Sequence, residues 1–514
     1  MKTIKTSKGI TLISLIVTII VLLILAGVSI SILTGENGII TKSKEASEQT
    51  RRGEVKEELN LIGNEWNIEK RTNRNANLLT FLAKQKTDKN IDDYEDLQDG
   101  SCLVIKDGQE IILEQGTTNI WNGTSVSTAL LGNGTEEEPF LIRNGEDLKF
   151  LANAVSNKST YTLEGETKGY KYACYKQVKD IYLNDTSNFS QWNDTNVQAE
   201  LNSFLPIGYN ETNREIFFGK YDGNNHKIDG LYVNIPNDYY AGLFSLLYYT
   251  EGTDKVVDAE ICNLQLKNAY IRAKEWAGGI AGGISSNAKI KNCQVDGFIC
   301  VVERNNPDDW ANWGAGGICG EMTYGSLIED CTNYAKIKGD VAVGGICGKS
   351  SSSSIKKCNN YGTVIGCSKV GGISGEISSC TVDFCNNYEN ISYGGSGESC
   401  TYFGGIGGDV YGGTISNCNN FGRISVLAPN LNDLPVMQIG GIAGLIQNES
   451  VLNSNNSGNI DINVGSLRTG LGIGGVVGYL VTGSTVDNCN NTGIITTNPT
   501  IETTGNIIGI EWGS

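Results

Sequence analysis

One histidine, His226, stands in a chain of 514 residues. A mechanism built on two histidines is therefore excluded, and a His-ligated metal is disfavoured. Proline is nearly as scarce, at 7 residues, which rules out a Pro-rich disordered chain. Charged residues make up only 19% and aromatics 8%. The formal net charge of −17 leaves no basic surplus for a phosphate backbone, so nucleic acid is excluded as a partner. That charge suits a soluble, self-repelling exterior. What the chain has in quantity is glycine, 65 residues, with much Asn, Ser and Thr. This is the composition of many short strands and tight turns. Cysteine numbers 15, and an odd count cannot pair fully within one chain. In an exported protein disulfides would be the first reading, but the cysteine spacing points elsewhere.

The first segment is set apart by hydropathy. Lys2, Lys5 and Lys8 precede an uncharged run from Ile10 to Leu33. As a helix this run would span roughly 36 Å, enough to cross a bilayer. Lysines before it and none directly after predict the N-terminus inside and the bulk of the chain outside. A plain signal anchor is one reading. A cleaved secretory signal is another, with Leu25-Ala26-Gly27-Val28-Ser29 as a poor cleavage site. A third rests on Lys8-Gly9-Ile10-Thr11-Leu12-Ile13-Ser14-Leu15, which resembles the class III leader of type IV pilins and pseudopilins. The resemblance covers roughly the first 35 residues. It implies cleavage between Gly9 and Ile10 by a prepilin peptidase, methylation of Ile10, and other pilins as partners. The family's usual Glu at the fifth mature position is here Ser14, a departure that bears on methylation and filament assembly more than on cleavage.

The chain then reads as a leader (1–9), a transmembrane helix (10–34) and an amphipathic helix (35–74). Val55, Leu59, Ile62 and Trp66 recur at steps of three and four in this helix. Leu78–Lys84 reads as a short helix, and Ser101–Gln115 as a hairpin turning at Asp107-Gly108. Residues 75–131 are then either a small α/β module or a partly ordered spacer.

From residue 132 to 514 the chain repeats. Gly278-Gly279-Ile280, Gly316-Gly317-Ile318, Gly344-Gly345-Ile346, Gly371-Gly372-Ile373, Gly404-Gly405-Ile406, Gly440-Gly441-Ile442 and Gly474-Gly475-Val476 head seven units. Each is followed by an aliphatic column, Ile290, Ile328, Ile355, Val382, Ile415, Val451 and Val486. Three residues on stand Cys293, Cys331, Cys358, Cys385, Cys418, Ser454 and Cys489. Two further on stand Val295 and then Asn333, Asn360, Asn387, Asn420, Asn456 and Asn491. A second aliphatic column runs Ile299, Ile337, Val364, Ile391, Ile424, Ile460 and Ile495. A period of 20–50 residues signals a solenoid or an array. The shortest units, 27 or 28 residues, suit three short strands and three turns. Successive coils would pair in parallel about 4.8 Å apart, stacking like on like. The Asn column reads as a hydrogen-bonded ladder at a turn, where Asn also tolerates left-handed geometry. The Cys column reads as reduced packing, because the coil spacing exceeds the roughly 3.8 Å Cβ separation a disulfide prefers. A straight column also lacks the convergence a zinc site needs.

This array resembles the GLUG-motif β-helices of bacterial surface proteins, from about Gly134 to the end. Glu138-Pro139-Phe140-Leu141-Ile142 resembles the family's opening segment. Phe218–Ile228 resembles its strand-turn-strand signature, and Ala241-Gly242-Leu243-Phe244 its GLF element. The predicted fold is a right-handed parallel β-helix behind a pilin-like transmembrane helix. Asn144–Ser156 is predicted to be a helix covering the first coil's edge, with Leu148, Leu151 and Val155 on one face.

Chemistry is harder to find. No carboxylate cluster repeats in register, and no phosphate loop or calcium-loop pattern is present. His226 and Asp222 fall in a structural turn. No catalytic residue, metal or cofactor is predicted. The distance from the second aliphatic column to the next Gly-Gly is 7 residues in two units but 17, 13, 16 and 14 in others. Insertions thus gather at one turn, and insertions on one face often mark a binding face. Within Glu303–Trp313 the binding candidates are Asp308, Asp309, Trp310 and Trp313, able to stack on a sugar or anchor a protein. The expected function is a membrane-anchored, cell-surface adhesin or binding scaffold without catalysis, engaging an extracellular glycan or protein. A glycan-active β-helix enzyme, or a structural component of a pilus or cell wall, stands as the alternative. No LPxTG-like anchor is evident, so the N-terminal helix is expected to hold the chain.

Overall fold

The computed structural model describes residues 39–72, 78–97, 101–114, 120–192, 201–210, 215–247, 259–302, 313–394, 401–428, 437–448, 450–464, 471–498 and 504–512. The leader and the predicted membrane helix, Gly9 and Ile10 included, lie outside them. Among the described residues no helix is long and apolar enough to cross a membrane. The chain divides into two compact units, Met1–Thr117 and Thr118–Ser514.

In the first unit a long helix, α1 (Ile39–Thr72), is followed by α2 (Leu78–Thr87) and an antiparallel sheet β1-β2-β3 (Asp93–Asp96, Ser101–Lys106, Gln109–Glu114). Val55, Leu59, Ile62 and Trp66 form the buried face of α1 and share a core with Leu78, Leu82, Val104 and Leu113. The β2–β3 turn is Asp107-Gly108, with φ of 47° and 71°. Two successive positive φ values match the twist of a tight hairpin.

The second unit is a parallel β-helix. Its first residues fall earlier than the boundary at residue 132 read from the sequence. Trp121 and Leu130 are buried in the solenoid core, and Ile120 bridges to Tyr182. The segment therefore belongs to the first coil and is no spacer. Helix α3 (Gly145–Ser156) is capped by the Asn144 side chain, which accepts from the Asp147 amide at 2.9 Å. Its Leu148, Leu151 and Val155 are fully buried in the same core as Ile142, Phe204 and Ile207.

Four parallel sheets run the length of the array, and each regular coil visits them in turn. Sheet 1 has nine strands, from Tyr240–Ala241 to Thr504–Gly505; sheet 2 has nine, from Phe244–Leu247 to Ile508–Trp512. Sheet 3 has eleven, from Phe140–Ile142 to Thr485–Asp487, and sheet 4 runs from Ile181–Tyr182 to Ile495–Asn498. A coil such as Val341–Gly366 thus holds five strand segments where three were expected, because the Gly-Gly corner and the Asn turn each split a side in two. The aliphatic columns are in register: Ile290 pairs with Ile328, then Ile355, Val382, Ile415, Val451 and Val486. Ile299 pairs with Ile337, then Val364, Ile391, Ile424, Ile460 and Ile495.

Glycine is needed at the sheet 1–sheet 2 corner for closeness of approach, since these residues do not have positive φ. A Cβ on Gly372 would stand 2.4 Å from Asn387 Cγ, and one on Gly375 would stand 2.4 Å from the Val343 amide nitrogen. Left-handed residues lie at other turns, and one regular column of them lies between sheets 3 and 4. Asn263, Asn292, Asp330, Lys357, Phe384, Asn417, Asn453 and Asn488 all have φ between 48° and 54° there. Five of these eight are Asn, the side chain that best tolerates this region. The ladder asparagines are thus not the left-handed ones, a correction to the sequence reading.

Candidate functional site

The Asn column is a buried ladder within sheet 4. Asn333 Nδ2 donates to Asn360 Oδ1 at 2.8 Å, and the same 2.8 Å bond repeats from Asn360 to Asn387, Asn387 to Asn420, Asn420 to Asn456 and Asn456 to Asn491. Each Nδ2 also donates to the carbonyl two residues on, as Asn360 does to Gly362 at 2.9 Å. At the far end Asn491 donates to Asn506 Oδ1 at 3.1 Å. Asn506 stands where earlier coils have the second glycine, so its amide fills the place of the next rung. Buried amides satisfied on both sides fix the register of the coils from Asn333 to Asn491.

The neighbouring Cys column is reduced. Cys331, Cys358 and Cys385 are free, and their thiols donate to carbonyls two residues back at 3.2, 3.1 and 3.3 Å. Burial pushes the Cys293, Cys358 and Cys418 thiols well above their ordinary value, which makes them poor nucleophiles.

Immediately after the ladder asparagines the chain turns outward, and here an aromatic column appears that the sequence reading did not use. Tyr334, Tyr361, Tyr388 and Phe421 stack with ring centroids 5.3, 4.5 and 5.0 Å apart and planes within 12°. The coil spacing imposes this: the Tyr361 amide donates to the Asn333 carbonyl at 2.7 Å, and the Phe421 amide to Asn387 at 2.8 Å. All four rings are exposed, between 39% and 48%. A second amide ladder runs beside them, Asn386 to Asn359 and Asn419 to Asn386, each at 3.0 Å. The signal was present in the sequence as Asn-Tyr, Asn-Tyr, Asn-Tyr and Asn-Phe in consecutive units. An earlier aromatic run on the same sheet, Tyr232, Tyr270 and Phe298, is buried beneath Trp192.

The insertion edge lies between sheets 4 and 1. The strands flanking it include Gln294–Val301 and Gly314–Gly316, Ile391–Tyr393 and Thr401–Gly404, and Ile460–Val464 and Gly472–Gly474. Asp308, Asp309 and Trp310 lie outside the described residues. Trp313 is corrected: it is only 5% exposed, because it leads directly into Gly314–Gly316, a strand buried at every position. It cannot serve as an exposed anchor.

A charged row, denied by the sequence reading, is also in register. On sheet 2, Glu321, Lys349, Glu376 and Asp409 pair across successive coils. Lys369 joins them from sheet 1, at 2.8 Å from Glu376 and 3.0 Å from Asp409. Lys349 lies 3.3 Å from Glu376. Burial raises Glu321 and Asp409 above the ordinary carboxylate range. Burial acts the same way on Glu376, but the two ammonium groups outweigh it and hold that carboxyl low. The row is hard to read in sequence because its signs are mixed and one member comes from another strand. His226 is bound not to Asp222 but to Asp180, its Nδ1 lying 3.2 Å from Oδ1. Among the described residues no three His, Cys, Asp or Glu side chains are grouped to hold a metal.

These features define the class: a parallel β-helix repeat protein whose exposed surface carries stacked side-chain columns. No protein-family model matches the chain. A stretch of 192 residues, 37% of this chain, is 28% identical to halomucin of Haloquadratum walsbyi, and it spans only 2% of that protein's length. A crystal structure from Bacteroides ovatus, provisionally described as an immunoglobulin A1 protease, covers 73% of this chain and 86% of its own at 16% identity. Its TM-score is 0.37, so the fold assignment rests on the strand pairing and not on this likeness.

Proposed function

We propose that this chain is a surface-displayed, pilin-like β-helix protein that binds an extracellular ligand and is not itself an enzyme. The observation that carries the reading is the exposed ladder Tyr334–Tyr361–Tyr388–Phe421. Stacking holds the rings in place before any ligand arrives, so little side-chain entropy remains to be lost on binding. Tyrosine beside Asn, here Asn359, Asn386 and Asn419, is a composition of adaptable recognition surfaces, apolar area next to neutral hydrogen-bonding groups. The leader's resemblance to prepilins and the array's resemblance to GLUG proteins support display outside the membrane, with prepilin peptidase as the processing partner. The loop holding Asp308, Asp309 and Trp310 belongs to the same reading as a second contact.

The test is an array of extracellular glycans and matrix proteins probed with the full chain and with a Tyr361→Ser, Tyr388→Ser double variant. Binding should fall at least tenfold, as when a hot-spot aromatic is lost. Equal binding by both proteins sinks the ladder as the contact surface. The charged row favours a second reading, a glycan-active enzyme with Glu321, Glu376 and Asp409 as its carboxylates. Lysine pairing of Glu376 and Asp409 weighs against it, since each carboxylate already has a fixed partner. Turnover of a polysaccharide that Glu376→Gln abolishes would establish that reading instead.

A further inference from the structure

A cleft of about 230 Å³ opens beside α3, lined by Lys149, Asn153 and Asn157 on one side and Leu205, Pro206 and Asn210 on the other. It is smaller than the usual drug-sized pocket and suits a single ring. Lys149 is half-buried at its wall, with its ammonium 5.6 Å above the centre of the Phe204 ring. The Phe204 face steadies this charge, yet no carboxylate among the described residues pairs with it. Burial lowers its affinity for the proton. A half-buried ammonium at the wall of an open cleft, with no carboxylate beside it, is placed to take an anion from outside. The remaining lining fits the rest of such a molecule. The Asn153 and Asn157 side chains line the cleft and make no side-chain hydrogen bond among the described residues, so their donors and acceptors are to spare. Leu205, 40% exposed, and Pro206 form an apolar wall opposite them.

We propose that this cleft binds a small carboxylate-bearing ring compound, a sugar acid in chemical class, with Lys149 as the group that takes the carboxylate. The carboxylate meets the Lys149 ammonium, ring hydroxyls meet the two amides, and the C–H face of the ring lies on Leu205 and Pro206. This site is separate from the aromatic ladder and does not depend on the reading given to it.

The experiment is saturation-transfer NMR and titration of the purified full chain with glucuronate, its methyl ester and glucose. Glucuronate should bind at least tenfold more tightly than either neutral compound, as a charge-assisted hydrogen bond implies. Lys149→Met should remove that preference. Asn153→Asp, at a half-exposed helix position that leaves the fold alone, should weaken glucuronate at least tenfold by repulsion; it decides the matter should the lysine variant fail to fold. A uronate-terminated disaccharide distinguishes a glycan end from a free acid, and binding of either supports the proposal. No signal with any of these acids, or equal affinity for glucuronate and its methyl ester, overturns it.

Discussion

Substituting Asn387 by alanine tests the ladder where it is deepest. The residue is fully buried. Its Nδ2 donates to Asn420 Oδ1 at 2.8 Å and to the Glu389 carbonyl at 2.9 Å, and its Oδ1 accepts from Asn360 Nδ2 at 2.8 Å. Three hydrogen bonds are lost, at about 1 kcal/mol each. The neighbours are not stripped bare: Asn360 keeps its bond to Gly362, and Asn420 Oδ1 keeps the Gly422 amide. A cost of about 3 kcal/mol follows, rising somewhat if the space beside Gly372 does not collapse. The adjacent Asn386 is the control. It is only partly buried, and its rungs to Asn359 and Asn419, at 3.0 Å each, face outward. Asn386→Ala should cost under about 1 kcal/mol. Asn387→Asp keeps the shape but presents carboxylate oxygen to two acceptors. It should be worse than alanine at neutral pH and recover as acid protonates it. Guanidinium unfolding gives the three numbers, and hydrogen exchange at the Tyr388 and Phe421 amides shows whether the loss is local, as nearest-neighbour coupling in a solenoid implies. Equal midpoints for Asn387→Ala and Asn386→Ala would refute the reasoning.

Val364 is wholly buried between Ile337 and Ile391. Val364→Asp should therefore destabilise by several kcal/mol, about 4 or more, and a melt within a degree or two of wild type would mean the column does not face the core. Thiol counting under denaturing, non-reducing conditions should find the Cys293–Cys489 column free. In the native state even Cys262, partly exposed and pushed up to about 12 by burial and the Asp222 carboxylate, should react slowly at pH 8. Glu376 is held below its ordinary value of 4.5 by Lys369 and Lys349 against the opposing effect of burial. Its contribution is complete above that value and disappears as the pH falls through the depressed one, so Lys369→Met should flatten the acid side of the stability curve. Mass spectrometry should find a mature N-terminus at Ile10; a start at Met1 or beyond Ala26 would end the prepilin reading.

The repeat was legible because a solenoid stacks each coil on the last. Identity at 27- or 28-residue steps then becomes contact, and columns such as Ile328–Ile355–Val382 declare themselves in one dimension. The buried face of α1 was equally plain, since Val55, Leu59, Ile62 and Trp66 need only the helical period. What local period does not encode is direction. Trp313 reads as a loop residue, yet it is buried where it leads into the strand Gly314–Gly316. Tyr334 and its successors follow buried asparagines, and only the turn there points their rings to solvent. Lys369 reaches Glu376 and Asp409 because a glycine corner folds sheet 1 against sheet 2. The Lys149 cleft joins a helix to a segment more than fifty residues later. The sequence by itself determined the stacking columns, because those contacts repeat with the chain's own period. The charged row, the exposed rings and the cleft were decided by tertiary structure, because each depends on how separate strands and turns meet at the surface.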